Sequence, residues 1–166
     1  MLDAALYKRL FDMIRPAISE DVPALYGLAE AVGLFEPDEL EAFAGMISEH
    51  LAGEQEDQCW VVDEDQEALW GAAYYAPEPF SEGVWNMYFI GVHPDYQGQG
   101  RGTALVKAVE QALVEKGERL LLVETSGMGR FELTRQFYLK NGYDEEARIR
   151  DFYKTGDDIV IFRKVL

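Results

Sequence analysis

A chain of 166 residues, 48% hydrophobic and 13% aromatic, holds apolar material for one core and too little length for two, which predicts a single domain over 1–166. Its formal net charge of −16 excludes general nucleic-acid binding, which needs clustered Lys and Arg, and points to a cationic or neutral partner. A lone cysteine, Cys59, rules out an internal disulfide, and with only His50 and His93 beside it no zinc-type cluster can form.

Residues 3–11 read as an extra N-terminal helix, and Met13, Ile14 and Arg15 as a short strand stopped by Pro16. The Met1–Arg15 segment mixes Asp3, Lys8, Arg9 and Asp12 among its apolar residues, unlike a secretory signal. No apolar run approaches the roughly 20 residues of a transmembrane helix, so a cytoplasmic protein without membrane contact is expected. Ser19, Glu20 and Asp21 supply capping and acidic character to a helix whose Leu25, Leu28, Ala29 and Val32 precede Gly33. A second amphipathic helix runs from Pro37 to about Leu51.

Cys59–Val62 and Ala68–Tyr75 are β-prone runs around an acidic turn, Asp63 to Gln66, and predict a hairpin with Cys59 as a buried strand residue. Trp85 to Val92 predicts a third strand after the Pro- and Gly-containing loop Pro77 to Gly83. Beyond a Gly-rich turn, Ala104, Leu105, Val109, Ala112 and Leu113 form a helical stripe ending near Gly117. Then come a buried strand, Leu120 to Thr125, a helix, Phe131 to Lys140, closed by Asn141 and Gly142, and two strands, Tyr143 to Tyr153 and Ile159 to Val165. The order predicts a mixed α/β (α+β) domain with a mainly antiparallel sheet.

The strand-to-helix segment from Val92 to Thr103 carries the functional signal. Glycines at 98, 100 and 102 free the backbone so that successive amides can converge at a helix start, where the helix dipole favours an anion such as a pyrophosphate. Arg101 adds a positive charge. The segment has no Gly-Lys-Ser/Thr ending for a P-loop, and its glycine spacing differs from a dinucleotide fingerprint. Gln97, Gly100 and Gly102 in the pattern Gln-x-x-Gly-x-Gly, after Val92-x-Pro94, instead resemble the coenzyme A motif of the Gcn5-related N-acetyltransferases (GNAT), and the order of elements resembles that family from about Ile14 to Leu166.

That resemblance implies a mixed, mainly antiparallel, twisted sheet with helices on both faces, and acetyl-CoA as acetyl donor. It implies that the backbone of Phe89–Val92 pairs with the pantetheine arm, with an amide of Ile90, Gly91 or Val92 polarising the thioester carbonyl. It gives the pyrophosphate to the amides of Gln97, Gly98, Gln99, Gly100, Arg101, Gly102 and Thr103. Phe137, Tyr138 and the following Gly142-Tyr143 resemble the family's Phe-Tyr-x-x-x-Gly-Phe/Tyr segment, which assigns the Tyr138 hydroxyl as the acid for the departing thiolate. Many relatives carry Asn and Ala where this chain has Phe131 and Thr134, so a side-chain amide contact to the coenzyme is not carried over. Arg130 and Arg135 are either phosphate contacts or solvated side chains.

Some relatives place a basic Glu at the position of Asn86, which accepts no proton. Glu124, ending a buried strand where partial burial would raise its pKa, is the candidate base, with a water chain as the alternative. His93 reads as a loop residue. Tyr74, Tyr75, Trp85, Tyr88, Tyr153 and Glu124 would make an aromatic, acidic pocket for a cationic amine, or else simply core. The leading expectation is acetylation of a small-molecule primary amine. A peptide or protein acceptor and a non-catalytic acetyl-CoA sensor remain open, as do monomer and homodimer; a transfer-RNA substrate is disfavoured by the acidity.

Overall fold

The structure, a computed structural model, describes residues 3–53 and 57–166. Met1 and Leu2 of the N-terminal segment lie outside the described residues. Among the described residues, seven strands and five α-helices follow the predicted order: α1 (Ala4–Asp12), β1 (Ile14–Pro16), α2 (Val22–Val32), α3 (Pro37–Ala52), β2 (Cys59–Asp65), β3 (Ala68–Pro77), β4 (Val84–Val92), α4 (Arg101–Glu115), β5 (Leu120–Ser126), α5 (Glu132–Lys140), β6 (Asp144–Lys154) and β7 (Asp157–Val165). The strands are ordered β1-β2-β3-β4-β5-β7-β6 in one sheet. The β4–β5 ladder is parallel, whereas β1–β2, β2–β3, β5–β7 and β6–β7 are antiparallel. Among the described residues no helix is long and apolar enough to cross a membrane.

The chain forms two compact units. The first holds the chain up to Tyr75 together with Phe89–Gln111, and the second holds Ala76–Tyr88 with Ala112–Leu166. In the first unit, strand alternation puts Trp60 and Asp63 of β2 on opposite faces. Trp60 meets Phe43 of α3 at 5.6 Å between ring centroids, and Phe43 meets Phe89 of β4 at 5.1 Å. Asp63 instead meets Arg101, the first residue of α4. Helices α2 and α3 therefore cover one face and α4 the other. Gly91 of β4 is fitted to α2: a Cβ there would lie 2.8 Å from Phe89 and 3.1 Å from Val32.

Three local expectations are corrected. Ser19–Asp21 forms a single 3-10 turn ahead of α2, and Asp21, buried there, accepts from Arg15 at 2.7 and 2.9 Å and from the Ile18 amide at 2.8 Å. The β2–β3 turn is Gln66-Glu67, both residues in the left-handed region (φ 54° and 62°), as a two-residue hairpin of matching twist requires. Asp63 to Asp65 are thus strand, not turn, because Asp63 is drawn inside by Arg101. Cys59 lies in β2 but is only half-buried.

In the second unit, β5 is sandwiched between β4 and β7, and its Leu121 and Val123 are buried. Helix α5 packs Tyr138 against Phe162 of β7 at 5.5 Å. Arg135 of α5, expected as either a phosphate contact or a solvated side chain, is not solvated. It is buried, donating to the carbonyls of Ser126 (2.7 Å) and Met128 (3.0 Å) and pairing with Glu132 at 2.5 Å, so it ties the β5–α5 connection instead of waiting for a phosphate. Strand β6 is exposed along its length.

Candidate active site

The Gly-rich turn belongs to the first unit. It leaves β4 through His93, whose amide donates to Trp70 O at 2.8 Å, and makes one 3-10 turn at Pro94–Tyr96. Tyr96 stacks on Trp70 with centroids 3.9 Å apart, and the Gln97 side chain donates back to Val92 O at 3.0 Å. Gly98 and Gly100 then take φ of 71° and 87°, conformations a side chain would strain, and α4 starts at Arg101. His93 uses its ring nitrogen to accept from the Asp95 amide, the loop role expected of it.

The amide bonding around this turn divides sharply. Tyr96 and Gln97 donate to His93 O (2.8 Å) and Pro94 O (3.4 Å), whereas no amide from Gly98 to Thr103 donates to a loop or cap carbonyl among the described residues. Arg101, Gly102 and Thr103 lie in the first turn of α4, where no intrahelical acceptor exists. The amides without such a bond run from Gly98 to Thr103. Such a run at a helix N-terminus fits a phosphate group.

Arg101 is not the phosphate cation the sequence suggested. Its guanidinium is buried, gives two 2.8 Å bonds to Asp63 and one of 3.1 Å to Asp65, and its Nε has no partner among the described residues. Burial opposes the Arg101 charge, and the bonds to Asp63 and Asp65 outweigh it, holding the guanidinium above its ordinary range. Burial pushes the Asp63 carboxyl up against the pull of Arg101. With two carboxylates already on it, the side chain has no charge left for a ligand, and only the Arg101 amide remains for one.

Tyr138 and Glu124 both lie in the second unit. Tyr138 is 3% exposed, edge-on to Phe137 and Tyr143, and burial pushes its phenol well above the ordinary range. Its hydroxyl forms no hydrogen bond among the described residues. Glu124 is exposed, which corrects the expected partial burial: its neighbours Val123 and Thr125 turn inward, so strand alternation sends it outward.

Sequence reasoning missed what Glu124 touches. Asn86, 1% exposed and in register with Leu122, donates through Nδ2 to Glu124 Oε1 at 3.2 Å and to Glu78 Oε1 at 2.9 Å. Glu78 stands in the loop after β3, fixed by its amide on Val84 O at 2.8 Å, and also accepts from the Tyr88 hydroxyl at 3.0 Å. Tyr153 is near enough to feel Glu124: its phenol is pushed up first by desolvation, then by the charges of Glu124 and Asp157. Tyr88 and Tyr153 are about half exposed, in keeping with a lining role. Tyr74, Tyr75 and Trp85 are buried, Tyr74 stacked on Trp60 at 4.7 Å and Trp85 under the Lys116 ammonium at 5.0 Å, so these three are core. Among the described residues no group of three or more His, Cys, Asp or Glu is placed to hold a metal ion.

The acetyltransferase (GNAT) domain family matches residues 55–145. A crystal structure of a GNAT-family protein from Desulfovibrio desulfuricans is 33% identical, with a TM-score of 0.87 over 92% of this chain and 97% of that one. The chain belongs to the GNAT acetyltransferase family. Two more distant structures share the fold: the ribosomal-protein-S18-alanine N-acetyltransferase of Escherichia coli (21% identity, TM-score 0.74, 92% of each chain) and the PaiA N-acetyltransferase of Thermoplasma acidophilum in complex with coenzyme A (18%, 0.73, 92% and 98%). Among curated proteins no match was found.

Proposed function

We propose that this protein is a single-domain cytoplasmic enzyme that transfers an acetyl group from acetyl-CoA to the primary amine of a small molecule. The observation that carries the reading is the run of undonated amides from Gly98 to Thr103 at the start of α4, in a chain of this family. These amides would hold the pyrophosphate, Gln97 contributing its side-chain tie to Val92 instead of its amide. The backbone of Ile90, Gly91 and Val92 would face the pantetheine arm and the thioester; the parallel ladder to β5 runs only from Val84 to Met87, although β4 continues to Val92. Acetyl-CoA supplies an activated carbonyl with a thiolate leaving group.

The amine must be neutral to attack. Glu124, or a water chain, accepts the ammonium proton; the amine nitrogen bonds to the carbonyl carbon, the carbon–sulfur bond breaks as Tyr138 gives its proton to the thiolate, and the second proton lost by the acylated nitrogen restores the Tyr138 phenol. Two features support Tyr138: burial keeps its phenol protonated, and its hydroxyl is not committed to another group. The two carboxylates that share the Asn86 amide offer an acidic point for a cationic amine.

The test is acetyl-CoA-dependent thiol release over a panel of diamines, polyamines, aminoglycosides, amino acids and short peptides, with acetylated products confirmed by mass. Acceptor-dependent release with small amines is expected. Acetyl-CoA binding with release from peptides alone would make the acceptor a polypeptide, and no acetyl-CoA binding would refute the reading.

A further inference from the structure

The cluster in the second unit is unusual in its charge balance. The Oε1 atoms of Glu78 and Glu124 both converge on one donor, Asn86 Nδ2, at 2.9 and 3.2 Å, and neither carboxylate has an ion pair among the described residues. The two carboxylates share one amide donor, and a single amide answers only part of their demand for donors. The same carboxamide carries a second signal: Asn86 is 99% buried by its 1% exposure, and its Oδ1 has no partner among the described residues. The amide that bridges the two carboxylates therefore keeps one buried acceptor without a partner, the mark of a polar site that a donor-rich ligand can complete.

The complement is cationic and donor-rich. A primary ammonium brings three N–H donors around a point charge, and the acceptors here are two carboxylates with the Tyr88 and Tyr153 phenols at their margin. A divalent metal is a poor match, because a hard cation wants six or more oxygens and these are two carboxylates. Resting on the acetyltransferase reading, we propose that Glu78 and Glu124 together form the ammonium subsite of the acetyl acceptor. The acceptor is an alkyl or polyamine-type cation with no carboxylate beside its amine. Glu78 is a specificity-determining residue of this subsite: it binds and orients the ammonium, while the proton leaves by the route given above. An α-amino acid is rejected because its carboxylate would lie against two like charges.

Calorimetric titration with 1,4-diaminobutane, and with ornithine, which is the same skeleton bearing an α-carboxylate, tests this directly. The wild-type protein should bind the diamine at least about tenfold more tightly than ornithine, the scale of one charge-assisted contact. Glu78→Gln leaves Oε1 able to accept from Asn86 and Tyr88 and removes only the charge, so the fold is preserved; it should weaken diamine binding about tenfold, with Glu78→Asp regaining part of the loss. In turnover assays Glu78→Gln should raise KM for the diamine far more than it lowers kcat, with acetyl-CoA affinity unchanged. Absence of diamine binding by the wild type, or equal binding by Glu78→Gln, overturns the subsite. Acetyl transfer whose KM ignores Glu78 also overturns the subsite while upholding the acetyltransferase reading; Glu78-dependent binding without transfer does the reverse.

Discussion

Replacing Arg101 with Met removes the partner of a buried carboxylate without opening a large void. Asp63 is 1% exposed and receives two 2.8 Å bonds from Arg101, so the variant strands its charge inside the sheet. Breaking such a pair costs about 3–5 kcal/mol, well above the value of an exposed pair. At a urea m-value of about 2 kcal/mol/M the unfolding midpoint falls by about 2 M. Adding Asp63→Asn should restore roughly 2 kcal/mol, since a neutral pair no longer strands a charge. The pH dependence follows from the carboxyl's direction. Burial already pushes Asp63 up, and removing Arg101 abolishes the opposing pull, so the variant's folded carboxyl holds its proton to higher pH than the unfolded chain, which titrates at about pH 3.9. A carboxyl raised on folding contributes stability that is full below the unfolded value and lost as pH rises through the folded one. The deficit against wild type should therefore shrink on acidification. Urea unfolding from pH 4 to 8, with acetyl-CoA binding measured alongside, checks both. A stability loss under about 1 kcal/mol, combined with weakened acetyl-CoA binding, would refute the structural assignment and return the guanidinium to a phosphate.

Tyr138→Phe should lower kcat by about a hundredfold or more while acetyl-CoA affinity holds, as loss of a general acid demands; unchanged turnover removes Tyr138 from the chemistry. Gly91→Ala should cost about 1–3 kcal/mol in thermal or urea unfolding, because the new methyl meets Phe89 at 2.8 Å and Val32 at 3.1 Å. Glu67→Gly, which relieves a left-handed side-chain residue in the hairpin turn, should raise Tm by a few degrees, equivalent to about 1 kcal/mol. Arg15 holds the Asp21 carboxyl below the usual range, against its burial. Asp21→Asn should then cost about 1.5–3 kcal/mol near neutrality, a deficit that closes as pH falls below about 4, where the wild type loses the same charge.

Much of the fold was legible because its signals are local. Helical spacing marked α2 to α5, β-prone runs marked the strands, and the glycines of 98–102 marked a backbone that needs φ values open to few other residues, two of which the structure realises at Gly98 and Gly100. The family could be read from one turn and one helix end for the same reason: coenzyme recognition through amides and a terminal helix leaves a spacing pattern in the chain. What escaped was everything decided by pairing across sequence distance. Arg101 was read as a ligand cation, yet Asp63 and Asp65, far from it in sequence, claim it, since a buried guanidinium must be paired. Glu124 was read as half-buried, but its exposure follows from which face of β5 looks inward, and that phase is set by packing against β4 and β7. Glu78 carried no sequence signal beyond its place in a Pro- and Gly-bounded loop. Only the tertiary fold turns that loop back on β4, where Asn86 joins its carboxylate to Glu124. Composition and spacing determine what a segment can form; where charges meet depends on contacts that a linear pattern does not encode.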